Sequence, residues 1–399
     1  MRTTWKYVTV LALLLICVGV ASAEAIGRPA FQRVWQRTDL PVQQGVAGYS
    51  WVWGPEPFTP ALSEAHVEGQ GGRRDVQYFD KSRMEINDPN ADPNAPWFVT
   101  NGLLANELIQ SKVQVGFNKF IPLGPANIAI AGDPDNRFPT YASLVRIFNT
   151  PVGYQQGTHI TSVLLPEGSG EFPQYANILD TEIVHSEKGF GIPFAFWEYL
   201  HRTGTVYENG RYIPKQQLFD WLFVTGYPTT DAFWTKVKVG GVEKDVMFQA
   251  FERRILTYTP SNAAAFRVEM GNVGRHYYQW RYIDPFADGV KAIITVPARG
   301  DTPPNVRSPL LVQGFEDGSA FEARIGVRLK NKANSVDIAK EFTDVIRADA
   351  GVAGPFETTL NFATPAADTP ATLEVFSNSP RDGSETILDS IDVVVKGGS

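Results

Sequence analysis

The sequence predicts a mainly β chain with short helices: an α+β region in which one unit occurs twice, followed by a C-terminal β-sandwich. Three observations carry this. The 399 residues include 28 Pro and 35 Gly, enough turn formers to favour strands and loops over long helices. Residues 226–282 are echoed by residues 54–109, and such self-similarity points to stacked or paired units rather than one catalytic domain. Beyond residue 289, about seven short apolar runs alternate with turns, as in a sandwich.

In the echo, Gly71-Gly72 stands for Gly240-Gly241 and Asp75-Val76 for Asp245-Val246. Gln77-Tyr78-Phe79-Asp80-Lys81 then matches Gln249-Ala250-Phe251-Glu252-Arg253, an aromatic followed by an acid and a base. A turn comes next in each copy, residues 88–94 and 259–262, and residues 98–103 parallel 267–272.

Residues 1–23 read as a signal peptide. Arg2 and Lys6 start it, residues 8–20 are apolar, and Ala21-Ser22-Ala23 offers a small-x-small cleavage site, with Ala21 and Ala23 as its recognition residues. The apolar run is short for a span, so no stable membrane span is expected after cleavage; kept uncleaved, the segment would act as an anchor. Cys17, the one cysteine, follows Ile16 rather than the small residue of a lipoprotein site. The mature chain then has no cysteine. This excludes disulfides, thiolate zinc sites and cysteine nucleophiles, and leaves stability to a packed core. Loss of Arg2 and Lys6 makes an already acidic chain, formal charge -7, more negative. Nucleic acid is therefore excluded as a partner, for want of the basic footprint that phosphates require. The expected location is extracellular or in the cell envelope.

Taken in order, residues 25–46 place Phe31, Val34 and Trp35 at helical spacing, with residues 39–41 closing the helix. Residues 51–55 read as a strand entering a turn, and 76–86 as a strand or hairpin arm before an Asp/Pro/Asn loop. Leu103, Leu104, Leu108 and Ile109 predict an amphipathic helix over 102–109. Residues 111–156 are broken by Pro and Gly, and 164–173 form a loop. Phe194, Trp197 and Leu200 predict a helix over 192–200, stopped by Gly204. Asn209-Gly210 centres a hairpin signal over 207–212. The pattern changes at 284–289, which separates a duplicated, aromatic-rich region (24–288) from the sandwich (289–399). The clearest strand of the sandwich is 320–329, with Phe321, Ala323, Ile325, Val327 and Leu329 on one face and Glu322, Arg324 and Arg328 on the other.

The search for chemistry yields no nucleophile elbow, phosphate loop or His-Glu-x-x-His helix, so no catalytic residue, cofactor or metal ligand set is assigned. Glu198 and His201 have i, i+3 spacing, but one pair is far short of a metal site. Alternation puts Glu182 and Val184 opposite His185. The loop 88–94 has Pro93 where a calcium loop needs Gly and Val99 where it needs Glu, and reads as a Pro/Asn turn. Asp80 and Glu252, beside Lys81 and Arg253, are expected to pair with a base or a backbone turn within their own unit. Trp51, Trp53, Phe233, Trp234, Tyr277, Tyr278 and Trp280 are either core or stacking platforms for sugar rings. On a strand, Tyr277 and Tyr278 cannot both point inward. Trp234, Tyr277 and Trp280 are the candidate ligand contacts.

Val306-Arg307-Ser308-Pro309-Leu310, Gly314, Phe321-Glu322-Ala323, Gly354-Pro355-Phe356 and Ser379-Pro380-Arg381-Asp382-Gly383-Ser384 occur in an order that resembles the bacterial spore-germination immunoglobulin-like domain, over most of 293–395. The resemblance implies an immunoglobulin-like sandwich serving as an extracytoplasmic accessory domain without known catalysis. The repeat unit is similar to those of uncharacterised secreted bacterial proteins with Val-Gln-Tyr-Phe and Phe-Glu-Arg-Arg blocks, here 76–79 and 251–254. Gly226-Tyr227-Pro228-Thr229-Thr230-Asp231, with Phe251 and Tyr258, is loosely similar to the Leu-Gly-Phe-Pro repeats of envelope proteins, which implies cell-wall attachment; Tyr227 replaces the Phe and the leading Leu is absent. The expected function is a secreted or cell-surface, non-catalytic protein that binds an envelope polysaccharide or a surface protein. Two alternatives stand beside it. One is an extracytoplasmic carbohydrate-active or wall-modifying hydrolase drawing on Asp80, Glu85, Asp180, Glu182 and Glu252 as paired carboxylates. The other is an architectural subunit of a surface layer.

Overall fold

The structure, a computed structural model, describes residues 24–398; the expected signal peptide, with Ala21 and Ala23, lies outside the described residues. Helix α1 (Pro29–Gln43) starts on Pro29, which loses nothing there because the first N–H groups of a helix are unpaired anyway. The expected stop at 39–41 is not observed. Pro41 sits in the last turns at the expense of one backbone bond, while Phe31, Trp35 and Asp39 are buried.

The first unit is an antiparallel meander of β1 (Leu62–Ala65), β2 (Arg73–Phe79), β3 (Ser82–Ile86) and β4 (Thr100–Asn101), continued by α2 (Leu104–Gln110). Residues 51–55 form no strand; Val52, Trp53 and Gly54 instead donate their N–H groups to the buried Asp39 carboxylate at 2.9–3.1 Å. A hairpin of β5 (Lys112–Gln114) and β6 (Phe120–Pro122) follows. The expected loop 164–173 is largely a second hairpin, β7 (Ser162–Leu165) and β8 (Gly168–Glu171), because the buried Val163 and Leu164 anchor β7 in a sheet. Next come β9 (Ile183–Glu187), β10 (Phe190–Pro193) and α3 (Phe194–Leu200). On α3 the buried residues are Ala195, Phe196, Tyr199 and Leu200, a 3.6-residue stripe, whereas Phe194 is exposed. The hairpin of β11 (Thr203–Glu208) and β12 (Arg211–Gln217) turns at Asn209 and Gly210, both at positive φ, 50° and 79°. Helix α4 (Trp221–Val224) leads into the second unit: β13 (Phe233–Val239), β14 (Val242–Ala250), β15 (Ile255–Tyr258), β16 (Val268–Met270) and α5 (Val273–Tyr278). Parallel pairing of β13 with β7 completes a six-stranded sheet in the order β16-β15-β14-β13-β7-β8.

Both units use the same hydrogen bonds. Gln77 Nε2 donates to Thr59 O and Gln249 Nε2 to Thr230 O, each at 2.9 Å. Thr59 Oγ1 accepts Tyr78 N–H at 3.2 Å, and Thr230 Oγ1 accepts Ala250 N–H at 3.0 Å. The units also grip each other reciprocally, as two-fold pairs do. Arg275 N in α5 donates to Asp80 O at 3.3 Å, and Asn106 N in α2 donates to Glu252 O at 3.2 Å. Lys81 Nζ reaches Met270 O at 2.8 Å, and Arg253 Nε reaches Asn101 O at 2.9 Å. Asp80 therefore takes its base from the other unit, pairing with Arg275 Nε at 2.6 Å rather than within its own.

The two meander sheets carry core residues on both faces. Phe79, Met84, Trp234, Met247 and Phe251 pack in one core with α1 and α3, and Val76, Tyr78, Phe248 and Ile255 in another with α2 and α5. The remaining strands are β17 (Ala292–Val296), β18 (Asn305–Val306), β19 (Leu310–Glu316), β20 (Arg324–Asn331), β21 (Asp337–Asp344), β22 (Gly354–Leu360), β23 (Thr369–Asn378) and β24 (Glu385–Val395). They form a sandwich of a three-stranded sheet, β17-β19-β22, and a five-stranded sheet, β18-β24-β23-β20-β21, over a core of its own. Ile325, Val327 and Leu329 point into that core as expected. The strand starts only at Arg324, because Glu322 and Ala323 turn at positive φ and leave Phe321 54% exposed. The sandwich sits on the first unit through Ser63 N to Ala348 O (3.1 Å) and Lys119 to Glu357 (2.9 Å), and its Phe315 and Ala348 join the core of α2 and α5.

Candidate functional site

Two groups of partly exposed aromatic rings flank α4 and make an aromatic belt in two parts, Trp197, Trp221 and Tyr227 in one and Phe223 and Trp97 in the other. The Asp220 carboxylate caps α4, accepting from Leu222 N at 2.9 Å and Phe223 N at 3.4 Å. A single-turn helix cannot bury all its faces, and Trp221 and Phe223 remain half-buried. Asn101 Nδ2 of the first unit holds the end of α4 through Val224 O at 2.6 Å, which sets how these rings stand. Trp197 of α3 meets Trp221 with ring centres 6.2 Å apart, and Tyr227 meets Trp221 edge-on at 6.3 Å. Two imidazoles pin the Trp197 indole: His185 of β9 lies nearly parallel at 3.9 Å, and His201 lies at 4.0 Å. Lys188 Nζ stands 3.5 Å from the centre of the Tyr227 ring, a cation over an aromatic face.

At the other end, Trp97 closes edge-on to Phe223 at 5.4 Å and is 51% exposed. Its backbone has φ 71°, a left-handed conformation unusual for a bulky residue. The loop around it is locked: Asp88 and Asp92 accept from the N–H groups of Asn90 and Asn94 at 2.9 Å, and Arg33 donates to Pro93 O at 2.8 Å. Trp97 and Phe223 border a hollow of about 430 Å³ together with Arg33 and Asn94.

The residues expected to contact a ligand lie elsewhere, and each is a correction. Trp234 is fully buried, stacked on Tyr175 at 4.2 Å, with Nε1 donating to Ile160 O at 2.8 Å. Tyr277 stands on helix α5 rather than on a strand and is fully buried, its hydroxyl bonded to Glu107, while Tyr278 is half-buried. Trp280 is 3% exposed and donates to Gly124 O at 2.7 Å. Coverage of the sheets on both faces is the cause, since it turns aromatics from either side into core. His201 Nδ1 is used on Trp197 O at 2.9 Å, and Glu198 borders a separate cavity with Asp180. Among the described residues, no group of three or more His, Cys, Asp or Glu could hold a metal ion.

The acids of the hydrolase alternative each have a different partner. Asp80 pairs with Arg275, Asp180 accepts the Tyr258 hydroxyl at 2.7 Å, and Glu252 pairs with Arg253 at 3.3 Å. Residue Glu182 bridges the backbone of His159. Glu85 belongs to a buried ionic cluster with Glu64, Arg74, Arg83, Glu107 and Arg281. Burial alone would raise the Glu64 carboxyl, but Arg281, Arg83 and Arg74 outweigh it and hold it below the usual carboxylate range. Glu85 is likewise pushed up by burial and pulled down further by Arg74 and Arg83, whereas for Glu107 burial wins and its pKa rises. Sequence reasoning did not single out Trp221, Trp97 or His185 as a group. The signals were a Trp-Leu-Phe-Val run too short to bury and a Trp set in a Pro/Asn loop.

Residues 292–384 match the family of the immunoglobulin-like domain of bacterial spore germination. The match lies within the sandwich and leaves both meander units outside it. No curated protein matches the chain. Among solved structures, a Bifidobacterium dentium beta-glucuronidase complexed with coumarin-3-O-glucuronide is similar at 16% identity over 23% of this chain and 14% of that chain. The TM-score of that match is 0.14. Among the described residues, no helix is long and apolar enough to cross a membrane.

Proposed function

We propose that the chain is a secreted or cell-surface, non-catalytic protein whose aromatic belt binds an envelope polysaccharide. The observation that carries this reading is the belt itself, in which Trp97 is exposed and Phe223, Trp221 and Tyr227 are only half-buried on elements fixed from below. Flat ring faces suit the apolar faces of sugars, and exposed aromatic area clustered in one place marks an interaction site. Lys188, set on the Tyr227 ring, adds a donor for sugar hydroxyls beside the aromatic faces. The sandwich supports the extracytoplasmic part of the reading, because its resemblance implies an accessory domain outside the cytoplasm. Engagement of Asp80, Glu85 and Glu252 in ion pairs argues against the hydrolase alternative, which needs two carboxylates free to face one bond.

The test is retention of residues 24–399 on isolated cell envelopes and in polysaccharide gels. The double variant Trp97→Ala and Trp221→Ala is expected to lose at least tenfold in retention with unchanged melting. Equal retention by the variant, or retention only on protein-bearing fractions, would overturn the reading. Full-length variants are needed because Phe315 and Ala348 of the sandwich complete a core of the meander region, so a chain ending at residue 288 exposes that core.

A further inference from the structure

The second unit holds a cleft at the place the first unit fills. Phe248 pairs with Thr257 as Val76 pairs with Glu85, and Ala250 pairs with Ile255 as Tyr78 pairs with Arg83. Val246 and Thr257 thus stand where the first unit has Arg74 and Glu85. His276 follows Arg275 as Glu107 follows Asn106, and both of those preceding residues donate their N–H to the other unit's turn. In the first unit the space is occupied by ion pairs, Arg74 on Glu85 at 3.0 Å and Arg83 on Glu85 at 2.6 Å. The shorter side chains of the second unit leave a cavity of about 290 Å³, bordered by Val246, Thr257, Glu269 and His276, with Lys81 contributed by the first unit. Small-molecule sites run from about 300 to 1,000 Å³, so the occupant is limited to roughly one ring.

The polar groups of this cleft have capacity to spare. Glu269 is the cross-strand neighbour of Thr257, and its carboxylate has no hydrogen-bond or ion-pair partner among the described residues. Lys81 gives two of its three ammonium hydrogens to Met270 O and Asn272 Oδ1, both at 2.8 Å, and keeps one. His276 Nδ1 is engaged with the Tyr141 hydroxyl at 2.9 Å, which leaves Nε2. Burial and then the Lys81 charge push this imidazole down to about 4, so it is neutral at pH 7. Val237 and Val246 supply an apolar floor.

Ligand classes separate on this lining. An anion would face Glu269 and Asp133, which also borders the cleft. A divalent cation would meet the Lys81 ammonium. An apolar molecule would strip water from Glu269 and offer nothing in return. A polyhydroxylated ring serves every group, since its hydroxyls donate to Glu269, accept from Lys81 and exchange bonds with His276 and Thr257 while its C–H face lies on valine. We propose that this cleft binds a single sugar ring or a cyclic polyol of the same size. The site is separate from the aromatic belt, none of whose rings borders it.

The experiment is calorimetric titration of residues 24–399 with glucose, N-acetylglucosamine and myo-inositol, with inorganic phosphate and methylamine as controls. At least one of the three polyols is expected to bind saturably and more tightly than either control. Glu269→Gln, a near-isosteric change at a partly exposed side chain, is expected to weaken binding at least tenfold. Val246→Arg combined with Thr257→Glu, which rebuilds the ion pair of the first unit inside the second, is expected to abolish it. Trp221→Ala should leave it unchanged, so this site and the belt fail separately. The proposal is overturned if no polyol binds, if phosphate or methylamine binds as tightly, or if Glu269→Gln has no effect.

Discussion

On the face shared with α2, strands β2 and β3 of the first unit carry Arg74, Arg83 and Glu85; at the same register points β14 and β15 of the second carry Val246, Ile255 and Thr257. Glu64 of β1 faces Arg281, Arg83 and Arg74, and α2 adds Glu107 where α5 has His276. The two units nevertheless share strand register and several hydrogen bonds, those of the Gln77 and Gln249 amides among them. A hydrogen-bonded frame thus constrains little of what its side chains do on one face. The first unit fills that face with ions that must all be paired, because an unpaired buried charge costs several kcal/mol. The second sets the shorter Val246, Ile255 and Thr257 there and leaves a cleft.

The comparison can be broken in four ways, in decreasing order of expected effect. Arg83→Met strips Glu64 and Glu85 of a partner and is expected to cost about 3–5 kcal/mol, whereas Ile255→Val at the matching point of the second unit should cost about 0.5–1.5 kcal/mol. Urea midpoints of the two variants measure this, and equal losses would mean that the ionic face is not held by pairing.

Acid is expected to act on the units at different pH. His276 titrates near 6.5 when unfolded and at about 4 when folded, so its share of stability is present above 6.5 and lost as pH falls toward 4. That share is roughly 3 kcal/mol at most. Glu64 and Glu85 have lowered pKa values, so their share is present above the ordinary carboxylate range and lost only below it. Asp39 runs the other way: burial outweighs its hydrogen bonds and raises it to about 6, so its share is full below the unfolded value of 3.8 and lost as pH rises through 6. Hydrogen exchange read segment by segment separates these terms. Between pH 7 and 5 the amides of α5 should lose protection before those of β2 and β3, and simultaneous loss would sink the assignment.

At the contact between the units, Gly274 of α5 stands where α2 has Ala105, and a Cβ there would lie 2.0 Å from Phe79 O. Gly274→Ala is therefore expected to cost about 1–3 kcal/mol by overpacking, against about 1 kcal/mol or less for Ala105→Gly. Thermal melts of the two variants decide whether the second helix sits closer than the first. The smallest effect belongs to Asp80→Asn. Arg275 is 53% exposed, and such a pair is worth less than about 1 kcal/mol. A salt-independent loss of about 2 kcal/mol or more would show that charge, rather than the reciprocal backbone bonds, joins the units.

Local chemistry was enough wherever a segment has one wet side or a demanding turn. Ile325, Val327 and Leu329 alternate with polar neighbours because only one face of β20 is buried, and the sandwich could be read from such runs. Asn209 and Gly210 mark their hairpin because few other residues accept positive φ at both positions. Leu104, Leu108 and Ile109 placed α2 by their spacing. The tertiary structure alone decided the rest. Trp234, Tyr277 and Trp280 became interior because their elements are covered from both sides, and α1 continues through Pro41 because its buried face outweighs one lost bond. The belt joins residues from Trp97 to Tyr227, and the cleft needs Lys81 from one unit beside Glu269 and His276 of the other. Periodicity reports only whether a residue's own face is covered; it carries no record of which distant segment does the covering, nor of whether that segment fills the space or leaves it open.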